Sequence, residues 1–110
     1  MNDVNYYCMN KDQLVTYMVG GYFSANKGWK HNPRFHHGDY ELIVCTSGPI
    51  YLSIGNDNVT LNQNDILLVP PYVVMQGNKV SERSINFYWL HFLLPDDHRI
   101  FKNTTCQRCR

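Results

Sequence analysis

Turn-forming clusters interrupt this chain about every eight to twelve residues, and that rhythm leaves room for little except short strands. Ser47-Gly48-Pro49 stops a β-branched and apolar run that starts at Asp39. Gly55-Asn56-Asp57-Asn58 reads as a hairpin turn between Ile50–Ile54 and Val59–Leu61, because Gly and Asn tolerate positive φ. Asn62-Gln63-Asn64-Asp65 turns the chain again into Ile66-Leu67-Leu68-Val69, and Pro70-Pro71 ends that run. Asn78 to Arg83 forms a polar loop before the last strong strand, Ser84 to Leu94. Near the start, Leu14 to Ser24 is a strand in which Gly20-Gly21 predicts a bulge or bend. Helical signals are scarce: Asp12 to Met18 is the one candidate, and Val15-Thr16-Tyr17 opposes it. The pattern predicts an all-β sandwich or barrel.

With 110 residues there is enough chain for one cored domain and too little for two. A hydrophobic fraction of 44% against 17% charged residues excludes a disordered chain. The formal charge of +1 and the scatter of Lys and Arg leave no stripe to track phosphates, so nucleic-acid binding by this segment is not expected. No run approaches the ~20 apolar residues of a membrane span, and the Asn- and Tyr-rich start lacks a signal-peptide pattern. A cytoplasmic protein with no membrane partner is the expectation. Cys45 sits inside an apolar strand and reads as a buried thiol. Cys106-Gln107-Arg108-Cys109 is a lone C-x-x-C without the second ligand pair of a zinc site or the strand–helix setting of a redox motif.

Three motifs then fall into register. Glu41 and Gly48 are separated by six residues, and His37 stands shortly before Glu41. This resembles the first signature of the cupins, with Phe35 at the other histidine position. In the second cupin signature Pro70 matches, while Asn64 and Tyr72 take the glycines and Met75 takes the histidine. Trp29…Pro33-Arg34…Asp39-Tyr40-Glu41-Leu42-Ile43…Gly48, Asp65 to Pro71, and Phe87-Tyr88-Trp89-Leu90-His91-Phe92 are together similar to the N-terminal effector domain of AraC-type transcription regulators. The resemblance covers about Gly21 to Pro95. It implies a cupin-type double-stranded β-helix, a jelly-roll barrel, that senses a small molecule, often a sugar. It also implies a separate C-terminal helix-turn-helix domain that binds DNA. These 110 residues contain no such domain, so the chain is expected to be a fragment. Residues 1–13 are expected to form an N-terminal arm, 14–95 the barrel, and 96–110 a tail leading into a linker or helices. A homodimer is a possible partner arrangement.

Alternation along strands puts Phe87, Trp89 and His91 on one face. The ligand-binding set expected from parity and resemblance is Arg34, His37, Glu41, Trp89 and His91, with Met75 at the vacated histidine position. An indole at Trp89 suits the C–H face of a sugar, and the Arg34 fork suits a diol or carboxylate. Other readings stay open. Trp89 is otherwise plain core, His91 a strand-to-strand hydrogen bonder, and Arg34 a rim partner of Asp39 or Glu41. A buried Glu41 needs a partner, with Arg34 or His37 as the candidates. Loss of histidine at Met75 argues against a metal or other cofactor and against catalysis, leaving a metal-dependent cupin enzyme as the alternative.

Overall fold

The computed structural model describes residues 14–95 in full, and of the flanking segments only the strands at 5–8 and 99–102. The remainder of the expected arm and tail, with Cys106 and Cys109, lies outside the described residues. Ten strands follow in chain order: β1 (Asn5–Cys8), β2 (Thr16–Ala25), β3 (Arg34–Phe35), β4 (Tyr40–Ser47), β5 (Ile50–Ile54), β6 (Asp57–Leu61), β7 (Ile66–Val69), β8 (Val74–Gly77), β9 (Ile85–Leu93) and β10 (Arg99–Lys102). The described residues contain no helix, and hence none long and apolar enough to cross a membrane.

Two four-stranded sheets, ordered β2-β9-β4-β7 and β3-β8-β5-β6, make the jelly-roll, and β1 pairs with β10 separately. Every pairing is antiparallel. Alternation sends Ile43, Cys45, Ile85 and Phe87 inward from the first sheet and Ile50, Leu52, Leu61 and Met75 inward from the second, where all are buried. Burying side chains of this size stabilises the domain by about 1.5–3 kcal/mol each before chain entropy is counted. The all-β expectation therefore holds.

Three details differ from the sequence reading. First, β2 runs unbroken through Gly20-Gly21, and its bulge falls between Tyr17 and Val19. The glycines instead allow close approach: a Cβ on Gly21 would lie 3.0 Å from the Trp89 ring. Second, β3 and β8 carry no strong periodic signal; they are ordered by pairing, with Arg34 opposite Met75 and Met75 opposite Ile54. Third, the 78–83 segment is more than a polar loop. Buried Ser81 accepts a hydrogen bond from Trp29 N–H at its Oγ (3.1 Å) and donates its own N–H to the Trp29 carbonyl (2.7 Å).

The glycine positions of the second cupin signature keep their backbone shape without glycine. Asn64 and Tyr72 adopt φ of 73° and 65°. Asn enters this left-handed region readily, whereas a bulky residue there costs roughly 1–2 kcal/mol. Tyr72 is held by its N–H, which donates to the His36 carbonyl at 2.9 Å.

Cys45 is the buried thiol that the sequence suggests, fully enclosed and donating to the Leu61 carbonyl at 3.7 Å. Burial pushes its pKa up, the Asp65 charge adds to this, and a backbone contact at Ser47 opposes it. In folded protein at pH 8, iodoacetamide is expected to label Cys45 at least about 100-fold more slowly than in urea, since core opening is limited by a global stability of about 5 kcal/mol or more. Peptide mapping of the alkylated cysteines measures this; equal rates in the two states would contradict the burial.

Candidate functional site

The inward face of β9 continues past the core into a partly open cavity of about 290 Å³. Antiparallel register builds it: Phe87, Trp89 and His91 lie opposite Cys45, Ile43 and Glu41 of β4, and opposite Phe23, Gly21 and Val19 of β2. Phe23, Trp29, Phe87 and Trp89 form an aromatic wall. Phe23 lies 5.1 Å from Trp29 and 5.3 Å from Phe87 between ring centroids. Trp29 reaches this wall because Ser81 clamps its backbone. The Trp89 indole N–H makes no hydrogen bond to a described residue.

The polar part of the lining is Arg34, His36, Glu41 and His91, with His31 and Asn32, and the His91 ring meets Trp89 edge to face at 5.5 Å. Glu41, 4% exposed, accepts from His36 Nε2 at 2.9 Å. His91 Nε2 lies 3.8 Å from the same carboxylate oxygen. Asp39 sits behind both rings, its Oδ2 at 2.7 Å from His91 Nδ1 and 3.7 Å from His36 Nδ1. The two imidazoles meet edge to face, 4.6 Å apart. Burial works against ionisation of Asp39, but the His91 hydrogen bond, its own backbone amide and the nearby imidazoles outweigh it and hold the carboxyl below its ordinary value. One donor atom each from His36, Glu41 and His91 falls within a 4.8 Å set, so among the described residues these three could hold a metal ion.

Of the six expected residues, Arg34, Glu41, Trp89 and His91 line one cavity. His37 does not. It is exposed, with its ring 4.9 Å from Phe35, and His36 takes the place expected for it. The reason is local: Gly38, at φ 96°, turns the chain between His37 and Glu41, so strand alternation cannot be counted back across it. The cupin pattern allows three or four residues before the glutamate, and His36 satisfies the longer gap. Met75 is also displaced from the expectation, being fully buried in the apolar core rather than at the cavity. Arg34 is exposed, bonds the Pro33 carbonyl at 3.3 Å and forms no ion pair among the described residues, so neither Asp39 nor Glu41 is its partner. Asp39, Trp29 and Phe23 escaped the sequence reading as site residues. Asp39 and Trp29 belong to the quoted motifs, yet only the fold brings them to the cavity.

Comparison with known proteins agrees with this architecture. The family model described as AraC-like ligand binding domain matches residues 18–108. An uncharacterized HTH-type transcriptional regulator of Bacillus subtilis, YisR, is 28% identical over 60 residues, which is 54% of this chain and 20% of that protein. The chain thus spans about one fifth of the length of that curated relative. Among solved structures, a predicted oxalate decarboxylase of Thermotoga maritima superposes with a TM-score of 0.64 at 13% identity, over 72% of this chain and 69% of that one. The Cnp3 cupin domain of Schizosaccharomyces pombe gives 0.62 at 9% identity, over 86% of each chain. At such identities the superpositions speak for the fold alone, which is the cupin barrel. The family-model match, which spans most of the sequence, places the chain in the family of AraC-like ligand binding domains.

Proposed function

We propose that this barrel is the effector-sensing domain of an AraC-type transcription regulator and that its cavity takes a small polyhydroxylated metabolite, a sugar or sugar acid. The supporting observation is the cavity itself: its lining combines four aromatic side chains with a guanidinium, a carboxylate and imidazoles. An aromatic face covers the C–H side of a pyranose while the polar groups meet its hydroxyls. Binding would favour one arrangement of the domain over another and so change how a DNA-binding domain elsewhere in the parent protein is presented. Pairing of two barrels, and a cytoplasmic setting, belong to the same reading. The exposed Tyr22–Tyr88 pair, 4.7 Å apart on the outer face, is a candidate contact that sedimentation would test.

The experiment is a thermal-shift screen of sugars and sugar acids, followed by calorimetric titration of the best ligand. Trp89→Ala is expected to weaken that ligand about 10- to 100-fold, the range for losing a stacked aromatic anchor. A ligand bound equally well by the variant would remove Trp89 from the site, and a screen without any shift would remove the sugar assignment.

A metal-dependent cupin enzyme is the second reading, favoured by the His36–Glu41–His91 group. Mass analysis of the bound ligand after prolonged incubation separates the two, since a sensor returns it unchanged and an enzyme does not.

A further inference from the structure

Four of the cavity-lining side chains, Trp29, His31, Asn32 and Arg34, come from one stretch of chain that is barely part of a sheet: only Arg34 and Phe35 pair as a strand. That strand is also the edge of its sheet, so among the described residues the stretch has a strand on one side only. What it rests on is the polar segment that follows β8. Gly77 N–H donates to the His31 carbonyl at 3.0 Å, Ser81 N–H to the Trp29 carbonyl at 2.7 Å, and Gly28 N–H to the Ser81 carbonyl at 2.9 Å. The Ser81 hydroxyl oxygen accepts from Trp29 N–H at 3.1 Å. Three of these four bonds converge on one residue.

Ser81 is 3% exposed although Asn78 to Val80, Glu82 and Arg83 are all exposed, and it lines no part of the cavity. A serine buried in an otherwise exposed loop needs a partner for its hydroxyl, and that partner is the backbone of a cavity residue. We propose that Ser81 is the positioning residue of the cavity: by seating residues 28–32 against the end of β8 it fixes Trp29 in the aromatic wall and presets the space that a ligand meets. The kind of ligand rests on the effector reading above, whereas the seating of the wall rests on these bonds.

Gly77 marks the other contact of the seat. A Cβ there would lie 2.7 Å from His31 N and from Lys30 Cγ, so the segment lies directly on the β8 backbone. Trp29 in turn packs on Phe23 at 5.1 Å, on Phe87 at 5.9 Å and against the His31 ring at 5.5 Å. Backbone bonds set where the indole enters the cavity, and ring contacts set how it lies. Without the Ser81 acceptor the Trp29 N–H must find water or stay unpaired, and either outcome lets the segment lift. A wall ordered before binding spares the ligand that ordering cost, so loosening it weakens binding without removing any contacting group.

The test uses the 110-residue chain labelled with 5-fluorotryptophan, whose two indoles, Trp29 and Trp89, both line the cavity. Trp29→Phe and Trp89→Phe assign the two fluorine resonances. Ser81→Ala is expected to move or broaden the Trp29 resonance more than that of Trp89, and Gly77→Ala to do the same from the other end of the seat. Amide exchange at Gly28, Trp29 and Ser81 should quicken by at least about tenfold in Ser81→Ala, while amides of β4 and β9 exchange as in the parent. In the parent these three amides should open together and more readily than β4 and β9, which decides the matter should a variant not fold. Titration with D-glucose, D-galactose, D-glucuronate and D-galacturonate reads the consequence: a sugar that binds the parent should bind Ser81→Ala about tenfold more weakly at a temperature where both are folded. If none binds the parent, the choice of sugars as effectors falls, and the fluorine and exchange data decide about Ser81. The proposal is overturned if neither resonance moves or both move alike, if exchange in β4 and β9 quickens together with that of the segment, or if a sugar binds variant and parent equally.

Discussion

Glu41→Ala is expected to lower the unfolding free energy by about 2–4 kcal/mol, because it strips a buried imidazole of its partner and opens a hole. His36, 8% exposed, loses the acceptor at 2.9 Å, and His91 loses the carboxylate at 3.8 Å. An unsatisfied buried polar group alone costs about 1–3 kcal/mol. Relief of the desolvation of Glu41 offsets part of this, which keeps the estimate below the upper range for broken buried pairs. Glu41→Gln retains the shape and one acceptor oxygen, so it should lose less than half as much. Urea unfolding at pH 7, with unchanged m-values, measures the difference. Equal stability of parent and alanine variant would show that the cluster contributes nothing to folding.

Met75→His should destabilise the barrel by a similar amount, about 2–4 kcal/mol. Position 75 is fully buried, paired on one side with Arg34 of β3 and on the other with Ile54 of β5, and its side chain lies in the cluster of Ile43, Leu52, Val69 and Phe87. An imidazole placed there meets apolar neighbours and leaves a ring nitrogen without a partner. The fall in melting temperature should reach about 10–25 °C for a domain of this size. A histidine variant as stable as the parent would mean that the side chain at 75 turns to the cavity.

Much of the barrel is legible in the sequence, for reasons that particular segments make plain. Ile66 to Val69 is bounded by Asn-Asp and Pro-Pro, and the strand occupies those residues. Ile50 to Ile54 is equally sharp, with its turn at Gly55. By contrast β3, of two residues, and β8, of four, are too short for an alternation to register. Parity along β9 puts Trp89 and His91 on one face, and both line the cavity, because nothing interrupts that strand. The same counting failed for His37, since Gly38 breaks the extended backbone that parity assumes. Met75 was misplaced for another reason: a motif aligns positions, whereas the direction of a side chain depends on which strands flank it. Asp39 is informative only in three dimensions, since its partner His91 is 52 residues away.

The pairing of Gly21 with Trp89 has a consequence for how such a cavity acquires its shape. The indole lies in the volume that any side chain at position 21 would claim, at 3.0 Å from the first carbon atom. A single methyl there requires the ring to give by a few tenths of an ångström, and a larger group requires more. The width at the aromatic wall is therefore set by a residue with no side chain and no charge, on a strand that contributes nothing to the polar part of the lining. Width at the aromatic wall can thus be changed from β2, at a position remote from the carboxylate of β4 that anchors the polar part.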